Sequence, residues 1–151
     1  MAADCVVLIG IPAAGKTTFF NQRFKATHRH ISKDLWPKSS RKDERQAREL
    51  RAALRAGESV VLDNTNPSLA DRAAIVAIAR ETGARVIGYY FTTPTRDAVG
   101  RNRGREGTAR VPNVAIFTTA KRMVAPTRAE GFDELYAVAI GEDGGFVVES
   151  M

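Results

Sequence analysis

Residues 10–18 read G-I-P-A-A-G-K-T-T and follow directly on the apolar run C-V-V-L-I. Two glycines, a lysine and two hydroxyls at that spacing suit one kind of ligand, a chain of phosphates. Gly10 and Gly15 let the backbone turn so that successive N–H groups, including those of Ala13 and Ala14, converge on phosphate oxygens. The loop then feeds the positive end of a helix. Lys16 reaches the β- and γ-phosphates, the Thr17 hydroxyl ligates Mg²⁺, and Thr18 adds a contact to the α-phosphate. The spacing Gly10-x-x-x-x-Gly15-Lys16-Thr17 is the P-loop pattern, and it implies a nucleoside triphosphate with magnesium. It is silent on what accepts the phosphate.

Two carboxylates at expected strand ends speak to the acceptor. In I-S-K-D-L-W-P-K, residues 31–38, Asp34 lies just past a strand. A carboxylate there can take the proton of an attacking hydroxyl; the alternative is a helix N-cap. Trp36, beside Pro37 and Lys38, suits stacking on a base if exposed, and packs in the core if not. In V-V-L-D-N-T-N-P, residues 60–67, Asp63 is positioned for a magnesium-bound water or the transferring phosphate. Asn64, Thr65 and Asn66 offer hydrogen bonds beside it, and Asn66 or Thr65 is free to cap the next helix.

A third cluster is cationic. Arg96, Arg101, Arg103, Arg105 and Arg110 face only Asp97 and Glu106 within residues 96–110. Arg101 and Arg105, four apart, share a face if this stretch is helical. Gly100, Gly104 and Gly107 would give a lid its freedom to close over developing phosphate charge. A merely solvated basic face is the alternative.

These clusters need a scaffold, and the chain alternates strand-like and helix-like segments. Cys5–Ile9 reads as a strand, Lys16 to about Lys25 as a helix, and His28–Ser32 as a weaker strand. Ser40–Ala56 is a charged, alanine-rich helix that Gly57 stops. Ser59–Leu62 is a buried strand ended by Asp63, and Pro67 opens a helix through Arg80. Arg85–Phe91 is a strand, Thr95–Arg103 a helix, Gly104–Pro112 a mobile arginine-rich loop and Asn113–Met123 a helix. Ala137–Ile140 and Phe146–Val148 close the chain around a Gly141–Gly145 turn. Such alternation predicts an α/β fold with a central parallel sheet covered on both faces, with ligands beyond the carboxyl ends of its strands.

The bulk properties fit this reading. The 151 residues suffice for one domain with a real core. A net charge of +6 favours an anionic partner. The single Cys5 allows no internal disulfide and reads as a buried strand residue in a reducing compartment. The start M-A-A-D-C lacks a basic leader, and Val6–Ile9 is too short to span a bilayer. A cytoplasmic or nuclear location and no membrane partner are expected. His28 and His30 read as surface or packing residues.

Four segments together resemble the kinase domain of the 5′-hydroxyl polynucleotide kinases. They are the P-loop, I-S-K-D, V-V-L-D-N-T-N-P and N-R-G-R-E at 102–106; A-P-T-R-A-E-G-F at 125–132 adds to them. The likeness runs from about Val6 to Ile140. It implies a three-layer P-loop kinase fold with an Arg-rich lid, the whole chain forming one kinase domain. It further implies ATP-dependent phosphorylation of a DNA or RNA 5′-hydroxyl, with Asp34 as general base and Lys16 and Thr17 serving ATP·Mg²⁺. Asp63 would help order the site, and Arg105 with Arg101 would supply the lid cations. Val111 and Pro112 match the segment near the adenine, and Trp36, Lys38, Asp63, Asn64 and Thr65 fall on the acceptor side. One departure stands out. Some members carry an arginine a few residues after the aspartate to grip the acceptor phosphate, where this chain has Pro37; Lys38 or Arg41 is left to substitute. The length matches the kinase step without accompanying modules. A small-molecule kinase and a non-catalytic ATP-binding protein are the alternatives.

Overall fold

The computed structural model describes residues 3–151. Its strands are β1 (Asp4–Ile9), β2 (Arg29–Ile31), β3 (Val60–Asp63), β4 (Arg85–Phe91), β5 (Glu134–Ile140) and β6 (Phe146–Ser150). Its α-helices are α1 (Lys16–Arg23), α2 (Lys42–Arg55), α3 (Leu69–Thr82), α4 (Thr95–Arg103) and α5 (Asn113–Arg122). Together they form a three-layer α/β fold around one sheet of order β2-β3-β1-β4-β5-β6. β2 to β5 run parallel to their neighbours, and β6 alone returns antiparallel to β5. The expected parallel sheet is therefore mostly parallel, because the Gly141–Gly145 turn is too short for anything but a hairpin return.

Strand β1 shows why the fold takes three layers. Cys5, Val7 and Ile9 pack into one apolar cluster, with residues of α2 and α3. Val6 and Leu8 point the other way, into a second cluster with Phe19 and Phe20 of α1, Ala98 of α4 and Ile116 of α5. A period of two on a strand that is apolar on both faces requires cover on both sides. Cys5 is wholly buried, and that burial pushes its thiol up to about 12, which leaves it inert.

Element ends differ from expectation where side-chain chemistry intervenes. α3 starts at Leu69 rather than at Pro67, because Ser68 forms a capping box with Asp71. The helix runs on to Thr82, where Gly83 takes a left-handed φ of 74°. β5 begins three residues early because Leu135, 1% exposed, pairs opposite Gly88 and belongs to the core.

One buried ion pair sets the path of the chain as it leaves β3. Arg72 of α3 is fully buried; its Nε and Nη2 donate to the two carboxylate oxygens of Glu130 at 2.7 and 3.2 Å. Its Nη1 donates to the Asn66 and Pro67 carbonyls at 3.0 and 3.1 Å. The Pro67 carbonyl also accepts from the Val124 N–H at 2.8 Å. Asn66 itself sits at a φ of 46° and donates from Nδ2 to the Leu8 carbonyl at 2.8 Å. Removing one partner of such a pair strands a charge in the core. Arg72→Ala is expected to lower the free energy of urea unfolding by about 3–5 kcal/mol, and an unchanged midpoint would contradict this account.

Candidate active site

The loop from Gly10 to Gly15 joins β1 to α1 at the carboxyl edge of the sheet. Its two glycines serve different ends. Gly15 has a φ of 105°, which a side chain resists. Gly10 is needed for space, not for its turn: a Cβ there would come within 2.9 Å of Phe91 Cβ. Ala13 also adopts a positive φ, 62°, so the loop holds local strain at a residue with a Cβ. Two side chains brace it. Thr93 Oγ1 donates to the Ala14 carbonyl at 2.9 Å, and Arg101 Nε donates to the Ala13 carbonyl at 3.0 Å.

Lys16 is buried at 8% exposure, and its ammonium donates to the Gly10 and Ile11 carbonyls at 3.0 and 2.8 Å. Burial lowers its pKa to about 8; Asp63 and Asp34 pull it back up, while Arg105 pushes it down. The lysine is thus parked on the loop's own carbonyls and faces both predicted carboxylates. Thr17 and Thr18 are exposed.

Asp63 is the hub. Its Oδ2 accepts from Thr17 Oγ1 at 2.8 Å and lies 2.8 Å from His30 Nε2. The His30 ring stacks on Phe20 with centroids 4.2 Å apart, which fixes its plane. Nothing in the sequence pointed to a role for His30 beyond packing; a histidine one strand over from Asp63 becomes visible only through the parallel pairing of β2 with β3. Thr17 and Asp63 are hard oxygen donors side by side, which suits Mg²⁺: this ion takes one or two protein oxygens and completes its shell with phosphates and water.

Asp34 lies on a 3-10 turn, Lys33–Leu35, and is exposed. It is not the cap of that turn. Ser32 is, with its Oγ accepting from the Asp34 N–H at 3.2 Å. Asn64 holds the turn in place: its Oδ1 accepts from the Lys33 N–H at 2.9 Å, and its Nδ2 donates to Gln46 at 2.7 Å. Asn64, expected to meet the acceptor, therefore spends both ends of its amide on positioning. Thr65 contributes through its backbone, its carbonyl accepting from the Gly10 N–H at 3.0 Å. Trp36 is buried in the first core cluster at 8% exposure, and the Arg45 guanidinium covers its ring 4.5 Å from the centroid. The expectation of an exposed stacking face is corrected, because Leu50 and Leu54 of α2 and their neighbours draw the indole inward. Lys38 is exposed.

The arginine segment departs from its predicted geometry too. α4 ends at Arg103 with Gly104 as its cap, so Arg101 and Arg105 share no helical face. They meet electrostatically nonetheless. The Arg105 pKa is lowered by burial and then by Arg101, and raised by Asp34 and Asp63. Asn102, 1% exposed, pins the loop that follows: its amide donates to the Val111 carbonyl at 2.6 Å and accepts from the Val111 N–H at 3.0 Å. The stretch 104–112, predicted to be a free loop, is thus closed at its far end. A cavity of about 350 Å³ opens at the ends of β4 and β5, lined by Thr93, Pro94, Asp97, Arg101, Ile140 and Gly141 among others. Val111 and Pro112, expected beside the adenine, do not line it. Among the described residues no helix is long and apolar enough to cross a membrane.

A strand–loop–helix phosphate cradle with a lysine, a paired threonine and aspartate, and a facing carboxylate defines a recognisable site. Residues 5–127 match the model of the AAA domain family. The chain belongs to that family. The bifunctional polynucleotide phosphatase/kinase of Schizosaccharomyces pombe is 28% identical over 139 residues, covering 89% of this chain and 33% of that protein. The chain thus spans one third of the length of the curated relatives it matches. Among solved structures, a fungal RNA kinase superposes with a TM-score of 0.69 at 17% identity, covering 95% of this chain and 77% of that one. A sugar kinase from Janibacter sp. superposes at 0.68 and 19% identity, with 91% and 85% coverage. The fold of this domain is that of the P-loop kinases.

Two outcomes are expected from this geometry. Below pH 8 the buried Lys16 is charged in both folded and unfolded chains, and folding carries its desolvation penalty. Between pH 8 and 10.5 the unfolded chain binds the proton that the folded chain has lost, so stability rises with pH. Over that window wild-type unfolding free energy is expected to gain up to about 3 kcal/mol more than that of Lys16→Met, as read by urea titration. His30→Ala frees Asp63, and Mg²⁺-dependent ATP binding is expected to weaken about tenfold by calorimetry. His30→Gln, which keeps a donor at that reach, should restore most of it. Equal affinity in all three would show that His30 only packs.

Proposed function

We propose that this chain transfers the γ-phosphoryl group of ATP to the 5′-hydroxyl of a polynucleotide. The observation that carries the reading is the Asp34 carboxylate: it is exposed, caps nothing, and acts electrostatically on both Lys16 and Arg105. In this reading a base for the acceptor stands within electrostatic reach of the cations for the donor. Similarity to the polynucleotide phosphatase/kinases supports the choice of acceptor.

In this reading the triphosphate lies along the Gly10–Gly15 backbone, and Lys16 leaves the Gly10 and Ile11 carbonyls for the β- and γ-oxygens. The nucleobase enters the cavity beside Arg101 and Pro94. Mg²⁺, held through Thr17 with Asp63 behind it, neutralises charge on the phosphates when bound. Asp34 accepts the proton of the attacking 5′-hydroxyl as the O–P bond forms, and the bond from the γ-phosphorus to the bridging oxygen of ADP breaks in line. Arg105 and Arg101 balance charge on the equatorial oxygens. The chain's work is positioning and electrostatics, which is what a loose phosphoryl transition state requires.

The test is end-labelling with ATP·Mg²⁺ across 5′-hydroxyl DNA and RNA, single strands and duplex ends, beside a panel of sugars and other small alcohols. Transfer to ends is expected, with Asp34→Asn reducing kcat by about 10²–10⁴-fold while leaving ATP affinity intact. Transfer to a small alcohol alone would replace the reading with a small-molecule kinase. ATP binding with no acceptor at all would leave a nucleotide-binding domain.

A further inference from the structure

The turn that bears Asp34 runs directly into a second opening, one that the donor site does not use. Arg41, Arg45 and Arg48 recur at helical spacing along the first turns of α2, so they line one face. With Ser39 and Ser40 they border an open groove of about 560 Å³. Two carboxylates share it. Glu44 lies 3.7 Å from Arg41, and Glu49 accepts from Arg45 Nε at 3.3 Å. The balance is cationic, and Arg48 has no carboxylate within ion-pair distance among the described residues.

Arg45 is prepared in a way the others are not. Its guanidinium lies 4.5 Å from the centroid of the buried Trp36 ring, and its Nε is held by Glu49. Among the described residues its two terminal nitrogens make no hydrogen bond. A stacked, tethered fork with both outer donors open loses little side-chain freedom on meeting an anion. A tetrahedral phosphate with two unesterified oxygens matches that fork. Trp36 thus acts on the ligand through Arg45, not by stacking on a base. The groove also answers the missing arginine at Pro37: the cation stands on the helix beyond the turn instead of within it. The groove borders residues 39–41, the segment that follows the Asp34 turn, so a chain of phosphates finds cations there that a small alcohol would not use.

We propose that this groove binds the phosphodiester backbone of the acceptor strand, with Arg45 as the anchor and Arg48 as a second contact. The inference rests on the reading of the chain as a kinase of polynucleotide ends and names where the strand lies. No base is read there, so the contact positions the end without selecting its sequence.

Fluorescence anisotropy of a labelled 5′-hydroxyl single strand, over a series of salt concentrations, tests it. Arg45→Ala and Arg48→Ala are each expected to weaken strand binding about tenfold and to lower the salt slope by about 0.7. KM for the strand should rise while KM for ATP holds. Arg45→Ala uncovers Trp36, so Arg48→Ala, whose side chain supports nothing in the core, stands as the independent variant. Unchanged affinity and slope in both would overturn the groove while leaving end-labelling by the wild type, and so the functional reading, intact. Arginine-dependent strand binding by a wild type that labels no end would do the reverse. Displacement of the strand by inorganic phosphate at the same concentration would mark a general anion site, and would also overturn the proposal.

Discussion

Asp63 Oδ2 joins three elements that are far apart in the chain. Thr17 reaches it from the first turn of α1, His30 from β2, and β3 delivers the carboxylate itself. The convergence depends on register. Leu8 pairs with Asp63 and His30 with Val61, so all of these face the α1 side of the sheet. A slip of one residue between β1 and β3 would turn the carboxylate to the opposite face, and one between β2 and β3 would turn His30 away from it. The two hydrogen bonds also keep a buried negative charge satisfied, which is the condition for holding it near Lys16 at all.

Around this hub, the phosphate loop is braced mainly through main-chain carbonyls and the Asp34 turn mainly through side chains. Thr93, Arg101 and Lys16 all bind carbonyls of the phosphate loop. A loop that carries a left-handed Ala13 needs such bracing, since its strain is otherwise relieved by unwinding. On the other side, Asn64 suspends the Asp34 turn between β3 and α2, and Arg45 caps Trp36 where that turn meets the core. The phosphate loop is therefore held by backbone geometry, whereas the Asp34 turn rests on a few amides and one stacked cation.

Buried amides and one arginine do much of the connecting. Asn66 ties the end of β3 to β1, Arg72 ties the same segment to Glu130, and Asn102 closes the arginine loop onto Val111. Each satisfies main-chain groups where no regular ladder continues, which is why polar residues are tolerated there at near-zero exposure. None belongs to the phosphate pattern, yet all three shape its surroundings.

The sequence alone determined the layered α/β architecture, the phosphate loop and the two strand-end carboxylates. These follow from short-range facts: apolar periodicity, glycine spacing, and the rule that such sheets bind ligands beyond their carboxyl ends. What it left open were matters of long-range packing. Trp36 beside Pro37, with Lys38 next along the chain, looks exposed in one dimension, and only the approach of α2 buries it under Arg45. Arg101 and Arg105 look paired by helical spacing, yet they meet because the chain folds back after Gly104. His30 gains a partner only when β2 lies against β3, and Asn64 turns from ligand candidate to support only when the Asp34 turn lands on it. Tertiary structure decided these because each hinges on how the chain turns or packs; the His30 and Asn64 contacts join residues 33 and 31 positions apart, a separation at which local pattern carries no directional information.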